Sequence, residues 1–537
     1  MSEKTTTGTF EGLLDGLTRT VEMLRGSSID LTDYDPRIHG RIVEFDELEN
    51  EVDRYWLNAP FSFAVITYDE TENEHAYTVV EPALDALEQD LLETLYTDVR
   101  NPLLYRETEG DPETILRTEL RNRLEEYGVD IDVAGFYKLF YYLYRRFRGF
   151  GKLDPLMSDP HIEDISCDGY GIPLYAYHDD YQDIETNVRF GEEELDSYVI
   201  RMAQQAGRHI SVGNPVVETT LQDGSRAELA LGEEVTPRGS AFTIRKYSDE
   251  PFTPIDLLKF GTYSLEQMAY LWLAIENNKN IIFAGGTASG KTTSMNAISM
   301  FIPPRSKLIT IEDTRELALY HDNWLSSVTR ERLDEGADVT MYDLLRSALR
   351  HRPEYILVGE VRGEEAITLF QAMNTGHTTL STMHADSVQT VINRLENEPI
   401  NVPRPMVQSL DVLSVQVLAR FGGERVRRAQ TVAEIDSIDQ RTGELDYTTA
   451  FTWDATDDTF REGNRNLLDE IREERGWSQT ELLRELDRRQ RFLRFLWDEE
   501  VTQYQQFTAM VNRYYANPDR VMETVDANLD TEPDEAE

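Results

Sequence analysis

A glycine-rich run at residues 285–293, with the sequence GGTASGKTT, constrains the fold of this chain more than any other feature. It follows an apolar stretch at residues 281–284 and leads into a segment compatible with a helix. Glycines in this strand-to-helix context let backbone N–H groups close around phosphates, which is the pattern of a P-loop. A chance glycine-rich turn is disfavoured by the strand before it and the helix after it. The sequence therefore predicts a nucleotide site.

Each part of the run has a predicted role at that site. Lys291 supplies a point charge to the phosphate oxygens, and Thr292 offers its hydroxyl to Mg²⁺. We expect ATP and Mg²⁺ as the cofactors. The predicted nucleotide-binding residues of the run are Gly285, Gly286, Thr287, Ala288, Ser289, Gly290, Lys291, Thr292 and Thr293.

Two further apolar runs end in acidic residues. Residues 355–358 lead to Glu360, and residues 308–311 lead to Glu312. Phosphoryl transfer to water needs a carboxylate that holds the metal and a group that orients the water, usually at the ends of neighbouring strands. We predict that Glu360 holds Mg²⁺, directly or through water, and that Glu312 orients the attacking water. A solvated turn is the alternative for either acid, and the upstream P-loop disfavours it.

Two histidines, His377 and His384, bracket a short polar strand. We predict that His384 senses the terminal phosphate as part of the catalytic machinery and that His377 belongs to the nucleotide site. A purely structural histidine is the alternative for each. A metal site is disfavoured, because their spacing of seven does not place both on one helical face and no cysteine accompanies them.

These four segments together resemble the secretion ATPase superfamily of type II and type IV secretion, type IV pilus assembly and the archaeal flagellar motor. They correspond to its Walker A, acidic, Walker B and histidine motifs. Further landmarks resemble those of its N-terminal ATPase-associated domain, and the likeness spans roughly residues 149–420. The landmarks lie at residues 151–156, 159–165, 207–211, 214–215 and 223–226.

The chain departs from the family in one respect and from other P-loop families in another. Many bacterial members carry two CxxC pairs for zinc, whereas this chain has one cysteine, Cys167, and so has no such module. Gly359 stands where other P-loop families place a metal-binding Asp, although glycine is usual in this family. Glu360 is therefore expected to act on the metal through water if direct coordination is weak.

The resemblance implies an α/β fold. A RecA-like P-loop ATPase domain is preceded by an α+β, PAS-like ATPase-associated domain, with extra N-terminal and helical C-terminal regions. Alternating strands and helices over residues 251–425 fit a parallel sheet, and turn signals within residues 148–250 fit an antiparallel one. The remaining predicted segments are an N-terminal domain at 1–147, a hairpin with helices at 426–525 and an acidic tail at 526–537.

The resemblance also implies arginines that reach the nucleotide from the ATPase-associated domain. Arg226 is the candidate for catalysis across a subunit boundary, and Arg208 and Arg245 are candidates for nucleotide binding. A surface arginine is the alternative for each. An arginine supplied by a neighbour implies a ring, so we expect a homo-hexamer that works with a polytopic membrane platform protein.

Local patterns predict several element boundaries. Thr340 is expected to cap a helix that starts at Met341, and residues 478–481 form a capping box for a second helix. Residues 430–438 and 447–454 are expected to form a hairpin. An aromatic-rich segment at residues 136–147 is expected to be a buried helix with a basic end, rather than a stacking surface for nucleic acid.

Charge indicates the solvent in which the chain folds. It has 100 Asp and Glu against 53 Lys and Arg, a formal charge of −47, and only eight lysines. At about 1 M salt the screening length is about 3 Å, which removes the self-repulsion of such a surface. We therefore predict a protein of a haloarchaeal interior, with an acidic mesophilic protein as the alternative. The same charge argues against nucleic acid as a partner.

Compartment signals agree with an intracellular protein. A single cysteine fits a reducing interior. The N-terminus has no signal-peptide pattern, and no run of about eighteen apolar residues occurs. We expect a cytoplasmic protein with no direct membrane insertion, recruited to the membrane by its partner.

The leading functional hypothesis is an Mg-dependent ATPase motor that powers assembly of a type IV pilus-like filament or a type II/IV secretion apparatus. A DNA-translocating P-loop ATPase and a nucleotide-binding regulator are the alternatives. The pair Glu312 and Glu360 argues against a regulator that hardly hydrolyses ATP. The sequence leaves open whether the system is a pilus, an archaellum or an exporter, and whether the motor extends or retracts.

Overall fold

The computed structural model describes residues 34–529, apart from 35, 40, 46–47, 49, 72, 106–111, 248–250, 331–337 and 439–444. The described residues form two compact units, one of residues 34–247 and one of residues 251–529. In the described ranges no helix is both long and apolar enough to cross a membrane.

The first unit is built on a nine-stranded sheet in the order β1-β2-β3-β6-β5-β4-β9-β8-β7. All neighbouring strands are antiparallel except β3 and β6, which pair in parallel through Ala76 and Tyr77. Strands from either side of residue 147 therefore share one sheet. The strands are β1 (Glu51–Asn58), β2 (Ser62–Asp69), β3 (Glu74–Val80), β4 (Ile162–Cys167), β5 (Pro173–His178), β6 (Gln182–Arg189), β7 (Val216–Thr220), β8 (Arg226–Ala230) and β9 (Ala241–Arg245).

Strand β2 is the place where the two apolar cores of this unit meet. Its alternating side chains enter different cores: Phe63 and Val65 pack with the helices of residues 86–147, while Ala64 and Ile66 pack with helix Glu192–Gln205. Alternation along a strand covered on both faces produces this split. The helices are Pro36–His39, Ala86–Tyr105, Pro112–Tyr127, Val133–Phe147, Asp154–Ser158 and Glu192–Gln205.

The aromatic-rich segment forms helix Val133–Phe147, and the expectation of a buried helix is confirmed. Phe136, Tyr137, Phe140 and Tyr141 are all buried. At its basic end Arg145 forms an ion pair with Glu81. These rings pack the core and are not available to stack on bases.

The second unit contains another nine-stranded sheet, in the order β12-β11-β13-β14-β10-β15-β16-β17-β18. In this spatial order, every neighbouring pair from β12 through β10 to β15 is parallel, and every pair from β15 to β18 is antiparallel. The α/β fold predicted from the sequence is confirmed. The strands are β10 (Ile281–Gly285), β11 (Leu308–Glu312), β12 (Trp324–Val328), β13 (Tyr355–Val358), β14 (Thr378–His384), β15 (Val412–Phe421), β16 (Glu424–Ile438), β17 (Leu445–Asp454) and β18 (Thr459–Glu462).

Helices cover both faces of the parallel strands. Along β10, Ile281 and Phe283 enter one core, and Ile282 and Ala284 enter the other. The two predicted caps at Thr340 and Ser478 form as expected. The helices are Pro254–Lys259, Leu265–Glu276, Lys291–Ser299, Met341–Arg350, Glu365–Asn374, Val388–Glu396, Arg404–Val407, Asn466–Arg475, Gln479–Asp498, Tyr504–Ala516 and Pro518–Leu529.

The C-terminal region is continuous with the parallel sheet. The predicted hairpin is formed by β16 and β17, and β16 pairs directly with β15. Trp272 stacks on Phe301 with ring centroids 4.6 Å apart and also contacts Phe492 of the C-terminal helices. The last helix runs to Leu529, three residues past the predicted start of the acidic tail, and residues 530–537 lie outside the described residues.

Candidate nucleotide site

Four parallel strands deliver their carboxyl ends to one edge of the second sheet. Gly285 at the end of β10 lies opposite His384 at the end of β14. On the far side of β14, the last residue of β13, Val358, pairs with Ile311 of β11, which directly precedes Glu312. Parallel pairing thus brings the P-loop together with Glu312, Glu360 and His384 at the edge where ligands of open α/β sheets bind.

The P-loop is shaped by close packing at its start and by left-handed backbone at its end. A Cβ on Gly285 would contact Ser289 Oγ and lie 2.6 Å from the carbonyl oxygen of Gln416, so only glycine fits there. Ala288 and Gly290 have φ values of 57° and 89°. Helix Lys291–Ser299 begins directly after the loop, so its N-terminal N–H groups face the place where phosphates would sit.

Polar side chains hold the loop closed. Ser289 Oγ and Lys291 Nζ both donate to the carbonyl oxygen of Gly286, at 2.9 and 2.8 Å. The ammonium group of Lys291 therefore lies across the mouth of the loop. Thr287 and Ala288 are exposed, while Thr292 and Thr293 are partly exposed in the first helical turn. All nine predicted residues of the run belong to one continuous strand, loop and helix start.

Glu312 is a buried carboxyl group with one oxygen unused. Its side chain is 1% exposed. Oε1 accepts from the backbone N–H groups of Glu316 and Leu317, each at 2.9 Å, whereas buried Oε2 has no hydrogen-bond partner among the described residues. Burial raises its pKa to about 7. A carboxyl group with this pKa is suited to take a proton near neutral pH.

Glycine at position 359 makes room for this carboxyl group. A Cβ on Gly359 would lie 3.3 Å from Cγ of Glu312, which is a tight contact. A side chain at 359 would therefore require Glu312, on the neighbouring strand end, to shift. The structure supplies a physical reason for the departure noted in the sequence.

Glu360 is partly buried and belongs to a charged network that includes one residue the sequence analysis did not assign. Arg362 Nη2 donates to Glu360 Oε2 at 2.5 Å, and Arg362 Nη1 lies 3.7 Å from Asp313 Oδ2. Arg362 thus links the ends of β11 and β13. The only sequence signal for it was its place two residues after Glu360.

Mg²⁺ fits this donor set when the phosphates of a nucleotide contribute oxygens. Among the described residues no three His, Cys, Asp or Glu side chains gather as a metal site. Protein-bound Mg²⁺ commonly uses one or two carboxylates together with substrate phosphates and water. The hydroxyl of Thr292 and the carboxylate of Glu360 are oxygen donors of that kind.

The two histidines lie at opposite ends of β14. His384 is exposed at the P-loop edge. His377 precedes the strand and lies 3.2 Å, at Nδ1, from Thr375 Oγ1. Seven residues of extended chain separate the two by about 23 Å. The structure does not bring His377 to the nucleotide edge, so we withdraw it from the nucleotide-binding set.

The three candidate arginines all lie in the first unit. Arg226 and Arg245 are direct partners across β8 and β9, and Arg226 forms an ion pair with Glu218. Arg208 follows helix Glu192–Gln205, and its backbone N–H donates to the carbonyl of Ala203 at 2.8 Å. Two like charges directly opposite each other are unfavourable in a sheet unless an anion compensates them.

A further arginine, absent from the sequence-based set, touches the P-loop itself. Arg427 Nε donates to the carbonyl oxygen of Ala288 at 3.1 Å. It comes from β16, 139 residues later in the chain. No motif in the sequence indicates this contact.

Three protein-family models match segments of this chain. The model of the type II/IV secretion system protein family matches residues 182–469. Models of PilB3-like N-terminal and C-terminal regions match residues 11–83 and 456–536.

Individual relatives give the extent of the likeness. Protein MJ0900 of Methanocaldococcus jannaschii is 35% identical over 503 residues, covering 88% of this chain and 90% of the relative. The type IV secretion system protein PtlH of Bordetella pertussis is 32% identical over 312 residues, covering 51% of this chain and 91% of the relative. The crystal structure of the VirB11 ATPase from the Brucella suis type IV secretion system is 27% identical, covers 51% of this chain and 93% of its own, and has a TM-score of 0.27.

Proposed function

The chain belongs to the type II/IV secretion system protein family, and from this premise we propose that it is an Mg²⁺-dependent ATPase motor. The motor would power assembly of a type IV pilus-like filament or a type II/IV secretion apparatus through a membrane platform protein. The observation that carries the proposal is the convergence of the P-loop, Glu312, Glu360 and His384 at one edge of a parallel sheet.

The residues divide the chemistry among them. Lys291 and the loop N–H groups bind the phosphates. Thr292 and Glu360 would hold Mg²⁺, which would supply positive charge to the phosphate oxygens. Glu312 orients the attacking water and accepts its proton, since its unused buried oxygen and its pKa of about 7 suit a general base. His384 senses the terminal phosphate from the neighbouring strand end.

Arginines of the first unit complete the site in an assembled ring. Arg226 is proposed to act on the nucleotide of an adjacent subunit, with Arg208 and Arg245 as supporting charges. An arginine finger supplied by a neighbour contributes about 10³ or more to turnover, so the active form would be an oligomer, which we propose is a hexamer. The protein would work in the cytoplasm and be recruited to the membrane by its platform partner.

The test is ATP hydrolysis by the purified chain with and without Mg²⁺. We expect Mg²⁺-dependent hydrolysis that Lys291→Ala abolishes, because the charge-assisted contact to the phosphates is lost. Glu360→Gln should still bind ATP while hydrolysis falls by orders of magnitude. Lys259→Ala, which removes a lysine that pairs with Glu500 at 3.5 Å, is the matched control and should hydrolyse normally. Tight ATP binding with no hydrolysis by the wild-type oligomer would contradict the motor and favour a regulator.

The shared site has its own test in mixed rings. Lys291→Ala and Arg226→Ala subunits are each expected to be inactive alone. Mixing them restores some interfaces with an intact P-loop facing an intact arginine, so partial activity should return. Absence of rescue in confirmed mixed oligomers, or full activity in a monomeric fraction, would remove the role of Arg226 between subunits.

A further inference from the structure

The β15–β16 hairpin reaches past the edge of the sheet where the P-loop lies. Strand β10 ends at Gly285, opposite Gln416 of β15. Strand β15 then continues for five residues, about 17 Å of extended chain, before it returns as β16. Gly422 and Gly423 form the two-residue turn with φ values of 61° and 98°, as tight hairpins require. Residues 417–428 therefore form an arm beside the P-loop.

One face of this arm carries three arginines. Leu418 lies opposite Arg427, and Arg420 lies opposite Arg425. Side chains two residues apart on a strand share a face, so these four side chains point the same way. We call Arg420, Arg425 and Arg427 the arginine face. It stands out in a chain with 100 acidic and 53 basic residues.

The outer pair of the arginine face, Arg420 and Arg425, is exposed towards the tip of the arm. Within the described part of the chain, no carboxylate forms an ion pair with Arg420 or Arg425. Like charges directly opposite each other destabilise a sheet. An anionic ligand bound beside this pair would relieve the repulsion.

Arg427 is in direct contact with the phosphate-binding loop. Its Nε donates to the carbonyl of Ala288 at 3.1 Å. A Cβ on Gly290 would lie 3.5 Å from Cδ of Arg427, so the side chain runs along the loop as well as touching it. Arg427 thus contacts Ala288 and lies beside Gly290.

Its neighbour Arg428 anchors the strand. Arg428 is 6% exposed, and its Nε and Nη2 donate to the two oxygens of Asp458, each at 2.7 Å. Its Nη1 donates to the carbonyl of Phe260 at 2.9 Å. These contacts tie β16 to neighbouring segments at the residue next to Arg427.

We propose that the arginine face is a phosphate clamp that acts within one chain, with Arg427 contacting the phosphate groups of a bound nucleoside triphosphate. The proposal rests on the proposed ATPase function, since it concerns the same site. Guanidinium groups match phosphate oxygens in charge and in geometry. Arg420 and Arg425, farther along the arm, add positive potential. The clamp differs from Arg226, which is proposed to act from the neighbouring subunit.

Binding affinity is the readout that tests the clamp. We would measure dissociation constants for ADP and for a non-hydrolysable ATP analogue, with KM and kcat, in wild type and variants. Arg427→Gln should weaken binding of the ATP analogue about 10-fold or more, the usual loss for one hydrogen bond to a charged group. Arg427→Lys should recover part of the loss because it keeps the charge. Arg420→Gln should weaken binding of the ATP analogue by less than about threefold in molar salt, because the screening length there is about 3 Å.

Arg461→Gln is the matched control. Arg461 is an exposed arginine of β18, at the far edge of the same sheet, where it pairs with Asp454. The Arg461→Gln variant should bind both nucleotides as the wild type does. An equal loss in Arg461→Gln would show a general charge effect and overturn the clamp.

Three other outcomes would separate the clamp from competing explanations. An Arg427→Gln variant with a lower melting temperature and wild-type affinity would make Arg427 a brace for the loop and overturn the clamp. Recovery of affinity on mixing Arg427→Gln with Lys291→Ala subunits would show action between chains and also overturn it. If the wild type bound no nucleotide, the proposed function itself would fail.

Discussion

Two buried carboxyl groups, Asp159 beside the first sheet and Glu312 at the edge of the second, differ in how fully their oxygens are hydrogen-bonded. Asp159 in the first unit is 0% exposed, and three donors surround it: the hydroxyls of Tyr55 and Tyr77 on Oδ2, at 2.8 and 2.6 Å, and the N–H of His161 on Oδ1, at 2.8 Å. Glu312 in the second unit has an oxygen, Oε2, that no described residue hydrogen-bonds. A fully satisfied buried group stabilises the fold, whereas an unsatisfied one is unfavourable unless a ligand completes it.

Sheet topology explains the contrast. Strands β10, β11 and β13 are buried along their whole length, so their side chains are used for packing and chemistry is left to the strand ends. Strands β7 and β8 of the first unit alternate between buried and exposed side chains. There, polar groups such as Arg226 project from the strand itself. One sheet concentrates its reactive groups at an edge, and the other distributes its charges over a face.

The largest expected effect is a rise in thermal stability with salt, and it applies to both units. Self-repulsion from the −47 charge should be removed only in concentrated salt. We expect the melting temperature to rise with KCl between about 0.1 M and several molar. Calorimetry across a salt series measures it. A flat or falling melting temperature would show that the acidic surface is not an adaptation to salt.

The next largest effect distinguishes the edge from the rest of the second sheet. Glu312→Gln should lower ATP hydrolysis by about 10²–10⁴-fold, the usual contribution of a general base. Glu434→Gln is the matched control, because Glu434 is 2% exposed and both its oxygens accept hydrogen bonds, from the Tyr270 hydroxyl and the Leu467 N–H. It should lose stability and keep its turnover per folded molecule. Equal turnover losses in both variants would contradict a chemical role for Glu312.

Removing the satisfied carboxylate should cost stability in the first unit. Asp159→Ala removes the acceptor of three hydrogen bonds, including that of the buried Tyr77 hydroxyl. At about 1 kcal/mol for each hydrogen bond, we expect a loss of about 3 kcal/mol. Hydrogen exchange over β1 to β3 measures it. Asp180→Ala, an exposed acid nearby, should change little. Unchanged protection of these strands in Asp159→Ala would mean that the cluster does not hold the sheet together.

The smallest expected effect is a pH dependence specific to Glu312. Its pKa is raised from 4.5 to about 7 by burial, so the folded state binds this proton more tightly than the unfolded chain. Stability should therefore fall as pH rises from 4.5 to about 7 and stay level above, by at most roughly 3 kcal/mol.

Comparing wild type with Glu312→Gln isolates this contribution. The variant lacks the titrating group. Its unfolding free energy, relative to that of the wild type, should therefore be higher at pH 8 than at pH 5. Hydrolysis by the wild type should decrease as pH falls through about 7, because a protonated base cannot accept a proton. A difference in unfolding free energy that does not change with pH would rule out this titration in the folded state.

Much of the site was visible in local sequence patterns. The P-loop, the two acidic strand ends and the caps at Thr340 and Ser478 depend on neighbours within a few residues, and the structure has them where the patterns indicate. His377 was grouped with the nucleotide site because it lies near His384 in sequence. Because an extended strand separates the two histidines, they lie at opposite ends of it and far apart in the structure.

Other features depend on partners far apart in the chain. The proposed divisions at residues 147 and 425 follow changes of local pattern, yet strands on both sides of each division share a sheet. The contact of Arg427 with Ala288 depends on how far β15 extends past β10, and no motif encodes that length.

The sequence by itself determined the P-loop, the order of its partner motifs, the family and the acidic character of the chain. These properties reside in residue types and short spacings. Tertiary structure alone decided which strands are neighbours, which arginine lies on the P-loop and which buried carboxyl group lacks a partner. Those outcomes depend on how segments that are distant in the chain pack together, and a hydrogen bond forms only when the packed fold brings donor and acceptor within about 3 Å.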